Sequence, residues 1–100
     1  MKSEDVTVEL RLIEKTGSKM RASADVVLSF GGDGVIRVSD FSVVHGEGEA
    51  PRVMVPARKG GNRYYPTVML MGKIRAMVED PILSEYERAR SKRDGAANAR

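Results

Sequence analysis

The side chains best suited to chemistry lie between positions 50 and 78. This segment carries six Lys or Arg residues and no Asp or Glu, a net charge of +6, whereas the net charge of the whole chain is only +3. Residues 1–49 have a net charge of −3, and residues 79–100 have a net charge of zero. Because a local excess of positive charge attracts polyanions, we expect this segment to contact phosphates.

The centre of the basic segment, residues 56–65, combines three kinds of group. Cations flank the pair Gly60-Gly61, and the pair Tyr64-Tyr65 follows. Cations and exposed backbone amides bind phosphates, and an aromatic ring can stack on a base, a contact worth about 1–3 kcal/mol. The pattern indicates a nucleic-acid-binding loop, and the alternative is an ordinary solvated hairpin tip.

The candidate contacts extend beyond this loop. Lys73 and Arg75 flank Ile74, so they either contact phosphates beside the loop or lie along the edge of a helix. Adjacent side chains of an extended segment point in opposite directions, so at most one of the two tyrosines can pack in the core. The exposed tyrosine either stacks on a base or has a purely structural role. The predicted nucleic-acid-binding residues are Arg58, Lys59, Asn62, Arg63, Tyr65, Lys73 and Arg75.

The composition argues against several other classes of function. Without Cys, the chain has no disulfide, thiolate metal site or cysteine nucleophile. His45, the only histidine, is followed by Glu47 and Glu49 but by no second imidazole, so we predict a solvated turn and no metal site. We find no paired carboxylates, no nucleophile beside a base and no cofactor fingerprint, and therefore predict neither an enzyme nor a small-molecule substrate. No apolar run approaches the roughly 18–20 residues of a membrane span, and the first residues lead directly into a strand pattern, so we expect no signal peptide and a cytoplasmic protein.

Strand patterns precede the basic segment. Apolar and polar residues alternate over 6–12, 20–30 and 35–44, the period of two that is typical of half-buried strands. The alternation weakens near Asp40, where we expect a bulge, and residues 52–55 form a short fourth strand. The three glycines of 30–34 predict a tight hairpin turn with positive φ angles. We therefore expect an antiparallel sheet of four or five strands.

The period changes to three and four residues after about residue 69. Ile74, Val78, Ile82 and Tyr86 belong to a helical stripe that could lie across a sheet. Pro81 interrupts it, which predicts a kinked C-terminal helix or two short helices. The methionines at 69, 71 and 77 are expected to fill the core. The predicted fold class is α+β, with a single domain over 1–90 and a disordered tail over 91–100.

Short motifs in this order resemble a known family. Gly72-Lys73-Ile74, then Val78 and the segment 82–88, resemble the helix of the SpoVG family of bacterial septation and sporulation regulators. The segment 53–59 is similar to that family's strand ending in Pro-Ser-Arg/Lys-Lys/Arg. The resemblance covers roughly residues 5–90, with a longer turn at 39–50 and an apparent insertion at 79–81.

The resemblance implies a small antiparallel sheet with a C-terminal helix, a homodimer, and binding to DNA and/or RNA. It also implies a regulator of septation, cell division and transcription in which Arg58 and Lys59 contact nucleic acid. The alternative class of function is a protein–protein interaction or assembly module that uses a strand edge and the helix, with the basic loop facing an acidic protein.

Overall fold

The structure is a computed structural model that describes residues 2–14 and 17–98. Within these residues the chain forms six β-strands and one α-helix, with short 3₁₀ turns at Ser3–Asp5 and Gly31–Asp33. The strands and the helix are β1 (Val6–Leu12), β2 (Met20–Ser29), β3 (Val35–Val44), β4 (Arg52–Met54), β5 (Ala57–Gly60), β6 (Arg63–Pro66) and α1 (Lys73–Asn98).

The first four strands form one antiparallel sheet in the order β1-β2-β3-β4. Strands β5 and β6 form a separate two-stranded sheet, so the predicted loop is a β-hairpin. The turn between β2 and β3 has Gly31 at φ 66° and Gly34 at φ 120°, conformations that glycine adopts without steric cost. The α+β prediction and this glycine turn are both confirmed.

The hydrophobic core lies on one face of the four-stranded sheet. Ala22, Ala24 and Val26 of β2 point inward at alternate positions and are almost completely buried. From α1, Val78, Ile82 and Tyr86 join the same cluster at a spacing of four residues, which keeps them on one side of a helix. Small alanines in β2 leave room for the larger helix side chains, and each fully buried Val or Ile contributes about 1.5–3 kcal/mol.

Helix α1 continues through Pro81 from Lys73 to Asn98, so separate short helices do not form. Proline in a helix interior removes one hydrogen bond and costs about 3 kcal/mol. Val78 before Pro81 and Ile82 after it are both buried in the core, and this tertiary burial offsets the local cost. The helix also runs into the 91–100 segment, for which we predicted a disordered tail. Residues 99 and 100 lie outside the described part.

The expected role of two methionines is wrong. Met69 and Met71 are 77% and 72% exposed, because they lie in the irregular segment before α1 and outside its helical period. Met77, within the helix, is half-buried. The sheet and helix therefore close the core without the first two methionines.

The outer face of the sheet is held together by ion pairs. Glu9 of β1 and Asp25 of β2 are direct cross-strand neighbours, an arrangement of like charges that is unfavourable alone. Arg37 of β3 bonds to both carboxylates, with its Nη2 2.9 Å from Asp25 Oδ2. Arg11 Nη2 donates a further hydrogen bond to Asp25 Oδ1 at 3.2 Å. Asp25, only 7% exposed, therefore sits between two guanidinium groups.

The bulge predicted near Asp40 is confirmed and completes this network. The β2–β3 register shifts between Ala24 and Val26, and Asp40 adopts a φ of 74°, a region that Asp tolerates better than most residues. This conformation directs the Asp40 N–H to Asp25 Oδ1 at 3.4 Å. The hydrogen bond from Arg11 is the largest cause of a lowered pKa at Asp25. Arg37 and the Asp40 N–H add to this lowering, which desolvation opposes.

Asp25→Asn should lower the free energy of unfolding at pH 7 by about 1.5–3 kcal/mol, because it replaces charge-assisted hydrogen bonds with neutral ones. Asp25 has a lowered folded-state pKa, so its ionised form stabilises the fold fully above the unfolded pKa of about 3.9. This stabilisation is lost as pH falls through the folded pKa. In urea unfolding, the difference in free energy of unfolding between Asp25→Asn and the wild type should thus become smaller below about pH 4.

Asp33→Asn is the matched control, since Asp33 is exposed in the glycine turn. We expect little change from this variant at either pH. A deficit for Asp25→Asn that is the same in acid as at neutral pH would contradict the assigned role of the ionised carboxylate.

Candidate nucleic-acid interface

The basic segment forms a hairpin that projects from the body of the protein. Strands β5 and β6 are joined by Gly61 and Asn62, and the positive φ of 62° at Gly61 with none at Asn62 fits a type II′ turn. At its base, the N–H and Oγ1 of Thr67 donate to the Pro56 carbonyl at 2.8 and 3.1 Å. The strands of the hairpin pack extensively against no other described element. The hairpin is thus anchored mainly where it begins and ends.

The strand register divides the candidate residues between two faces. Arg58 is paired with Tyr65, and Gly60 is paired with Arg63. Directly opposed residues of an antiparallel pair share a face, and residues two apart on one strand also do. The structure therefore brings Arg58, Arg63 and Tyr65 together on one face, which we call the arginine face. Lys59 lies on the other face of the hairpin.

The Tyr65 ring lies across Gly60. A Cβ atom added at Gly60 would be 2.9 Å from Tyr65 Cε2 and 3.2 Å from Cδ2, so any larger residue would displace the ring. Tyr65 remains 49% exposed in this position. Gly60 thus provides the flat surface on which the ring rests, and the ring separates the two arginines without covering them. Neither tyrosine is buried, since Tyr64 is 70% exposed.

The positive charge of the hairpin is not neutralised within the described residues. Arg58, Lys59 and Arg63 form no ion pair with any carboxylate of this part of the chain. All three side chains are exposed, and the hairpin contains no acidic residue. The hairpin therefore carries an uncompensated field that can attract an anion. Asn62 lies at its tip, where its amide can donate and accept hydrogen bonds.

The two candidate cations of the helix lie elsewhere. Lys73 and Arg75 occupy the first turn of α1, after the 67–72 segment, and α1 makes no extensive contact with β5 or β6. Arg75 is partly neutralised, because its Nε is 2.9 Å from Glu79 Oε2. No acidic residue is present in the first turn. Lys73 thus adds positive charge to the positive end of the helix dipole.

The face of the hairpin opposite the arginine face borders the outer face of the four-stranded sheet. Tyr64 lines a groove of about 530 Å³ with residues of β2, β3 and the strand-ending segment 54–57. Met20, Val44 and Met54 make much of this surface apolar, and Met20 and Met54 are 42% and 48% exposed. The hairpin thus has one cationic face and one face that borders an apolar groove.

Sequence reasoning missed a second site with cations, and it did not predict that His45 packs at the base of its turn. His45 is half-buried rather than solvated: its Nε2 lies 2.7 Å from the Tyr86 hydroxyl and its Nδ1 lies 2.9 Å from the Gly46 carbonyl. Arg90 lies over the Tyr86 ring, with Cζ 5.2 Å from the centroid. The sequence did contain a signal for this site. Arg90 and Arg93 follow Tyr86 by four and seven residues, a spacing that places side chains on one side of a helix.

Other classes of site lack support in the described residues. No group of three or more His, Cys, Asp or Glu side chains in this part of the chain is arranged to hold a metal ion. The described helix does not combine the length and apolarity that a membrane crossing requires. The chain was compared with protein-family models, curated proteins and solved structures, and none of the three comparisons finds a match.

Gly60→Ala should move the Tyr65 ring, because the new methyl group would lie under the ring at 2.9 Å. We expect changed ring-proton chemical shifts for Tyr65 with no change in net charge. Gly32→Ala is the control, since a Cβ there meets no atom within 4 Å and its φ is not positive. Unchanged Tyr65 resonances in the first variant would contradict the packing of this ring on Gly60.

Lys73→Glu should raise the free energy of unfolding by about 0.3–1 kcal/mol, because a carboxylate is favourable at the positive end of a helix dipole. Thermal unfolding monitored by circular dichroism would measure this gain, and Lys73→Gln should give a smaller one. A lower melting temperature for Lys73→Glu would mean that Lys73 makes a stabilising interaction in the folded state.

Proposed function

We propose that this protein is a small regulatory module that binds DNA and/or RNA through the arginine face of its β5–β6 hairpin. The single observation that carries the proposal is the juxtaposition of Arg58, Arg63 and the exposed Tyr65 ring, with no carboxylate in the hairpin. Arginine and aromatic side chains on one surface match the two repeating features of a nucleic-acid strand, its phosphates and its bases.

Each residue of this surface has a distinct role in the proposal. The guanidinium forks of Arg58 and Arg63 bind phosphate oxygens with two donors each. Tyr65, held on Gly60 between them, stacks on a base whose face is accessible, as the bases of a single strand are. Lys59 contributes charge from the other face, and Asn62 reaches base edges from the tip of the hairpin.

The helix cations act at longer range. Lys73 is more available than Arg75 to contact a phosphate, because Arg75 is paired with Glu79. Their positions at the start of α1 extend the positive field beyond the hairpin, although Glu79 offsets part of the Arg75 charge. A strand that leaves the arginine face on the side of this turn would contact Lys73.

The resemblance to the SpoVG family supports the same assignment. It implies a homodimeric regulator of septation and gene expression in which positions 58 and 59 contact nucleic acid. We propose that the present protein is likewise a cytoplasmic homodimer, and that it needs no cofactor and has no enzymatic activity. Dimerisation would place two arginine faces in one particle and lengthen the strand that a single complex can bind.

A second candidate function is protein–protein interaction without nucleic acid. The observation that favours it is the groove beside Tyr64, where the exposed Met20 and Met54 leave apolar surface on the outer face of the sheet. Apolar patches of this kind mark interaction surfaces in many proteins. Capture of one partner that survives nuclease treatment, by both wild type and an arginine-face variant, would favour this candidate.

The triple variant Arg58→Ala, Lys59→Ala and Arg63→Ala should abolish the gel shift of a short oligonucleotide and leave the circular dichroism spectrum unchanged. With about five phosphates neutralised, the wild-type logarithmic affinity for duplex DNA should fall with logarithmic salt concentration at a slope of about −4 to −5. The same comparison with single-stranded DNA and RNA reveals which nucleic acid is preferred.

The matched control removes the same number of charges elsewhere. Lys2→Ala, Arg88→Ala and Lys92→Ala alter exposed positions at the amino terminus and on the outer side of the helix. We expect this control to retain most of the wild-type affinity. Unchanged binding by the hairpin triple variant refutes the assignment, and equal losses in the two triple variants would indicate unspecific attraction to net charge.

A further inference from the structure

A second cationic cleft lies away from the hairpin, between three segments that are distant in sequence. It has a volume of about 890 Å³ and is formed by residues 13, 14 and 17–19 between β1 and β2, the β3–β4 turn and the C-terminal half of α1. Lys19 and Arg21 line it from β2 and the preceding turn, and Arg90 and Arg93 line it from the helix. Glu14 and Glu47 are its two acidic lining residues, and Glu87 and Asp94, which do not line it, pair with Arg90 and Arg93.

Arg21 is held at the inner end of this cleft with unused donors. Its Nε donates to the His45 carbonyl at 3.1 Å, which fixes the position of the guanidinium against the β3–β4 turn. Arg21 forms no ion pair with a carboxylate of the described residues, and its side chain is half-buried. Its two terminal nitrogens are therefore oriented by the fold and remain available for an acceptor.

Arg90 is positioned on the opposite wall. Its guanidinium lies over the Tyr86 ring, and its Nη2 donates to both carboxylate oxygens of Glu87 at 2.7 and 2.8 Å. Tyr86, only 2% exposed, is itself joined to His45 at 2.7 Å. The hydrogen bond between buried Tyr86 and half-buried His45 thus links the wall that carries Arg90 to the turn that holds Arg21. Such prior positioning lowers the entropy lost when a ligand binds.

Arg93 and Lys19 lie at the rim. Arg93 Nη1 is 3.8 Å from Glu14 Oε1, a distance too long for a hydrogen bond, and its Nε is 3.5 Å from Asp94 Oδ1, with all three side chains exposed. A loose, solvated pair of this kind contributes little stability, so an incoming anion can displace it. Lys19 forms no ion pair within the described residues and is exposed. The positive charges of Lys19 and Arg93 at the rim can therefore attract an anion that is bound deeper in the cleft.

We propose that this cleft is a phosphate-binding site in which Arg21 and the Arg90 nitrogens that Glu87 does not engage bind the phosphate oxygens, and Lys19 and Arg93 attract the anion at the rim. A phosphate has oxygens in a tetrahedral arrangement, so guanidinium groups on two walls can each bind a different side of it. The phosphate belongs either to a free phosphorylated small molecule or to a nucleic-acid backbone.

The position of the cleft makes both sources possible. Lys19 lines the cleft, and its neighbour Met20 lines the groove that Tyr64 borders. The cleft and this groove thus adjoin at Lys19 and Met20, and one strand could extend from the cleft toward the hairpin. The site itself does not depend on the proposed function of the hairpin, because none of its residues belongs to β5 or β6.

The test is a chemical-shift titration of the labelled full chain, first with inorganic tripolyphosphate and then with a short single-stranded oligonucleotide. We expect tripolyphosphate or the oligonucleotide to shift the backbone amides of Arg21, His45 and Gly48. The variant Lys19→Gln with Arg21→Gln should weaken this response about tenfold or more, because charge-assisted hydrogen bonds are lost. If this double variant does not fold, a second double variant, Lys19→Gln with Arg93→Gln, can replace it. The second variant keeps the Arg21 hydrogen bond and should still weaken binding.

Arg88→Gln with Lys92→Gln is the matched control, since it removes two charges from exposed helix positions outside the cleft. A response to tripolyphosphate supports a site for free phosphorylated molecules, and a response to the oligonucleotide alone supports a backbone phosphate. Equal weakening by the cleft and control variants, or no response of the cleft amides to either probe, overturns the proposal. The hairpin triple variant should bind tripolyphosphate at the cleft normally, which separates the two proposals.

Discussion

The burial of one helix stripe on one face of the sheet is the constraint on which the rest of the structure depends. Val78, Ile82 and Tyr86 close the core against a strand whose inward residues are mostly small. A single helix covers only one face, so the outer face is stabilised by other means. There the Asp25 network joins three strands through arginines rather than through apolar contacts. The thin core also leaves the β5–β6 hairpin without a supporting layer.

The hairpin therefore combines weak packing with concentrated charge. A two-stranded sheet is marginally stable in water, and this one is held by its base, where Thr67 bonds to Pro56. Its cations repel one another and have no carboxylates within the hairpin to offset them. Binding surfaces are commonly drawn from such less stable parts of a fold. An anionic ligand would relieve the repulsion and order the strands at the same time, which couples binding to hairpin stability.

Much of the fold could be predicted from local patterns, but the arrangement of the sites could not. The alternation of apolar and polar residues predicted the strands of the sheet, and the interruption of this alternation located the bulge at Asp40. The continuous helix could not be predicted, because burial on both sides of Pro81 outweighs a local preference. The pairing of His45 with Tyr86 joins residues 41 positions apart, so no local pattern reveals it. Likewise, only the strand register separates Lys59 from the arginine face.

Hydrogen–deuterium exchange with and without a short single-stranded oligonucleotide tests most directly whether the hairpin is the binding surface. In the free protein, the amides of β5 and β6 should exchange much faster than those of β2, because the hairpin opens without disrupting the core. Bound oligonucleotide should slow exchange across residues 57–66 more than anywhere in the four-stranded sheet. Unchanged hairpin exchange under saturating oligonucleotide, with protection confined to the outer face of the sheet, would contradict the central claim.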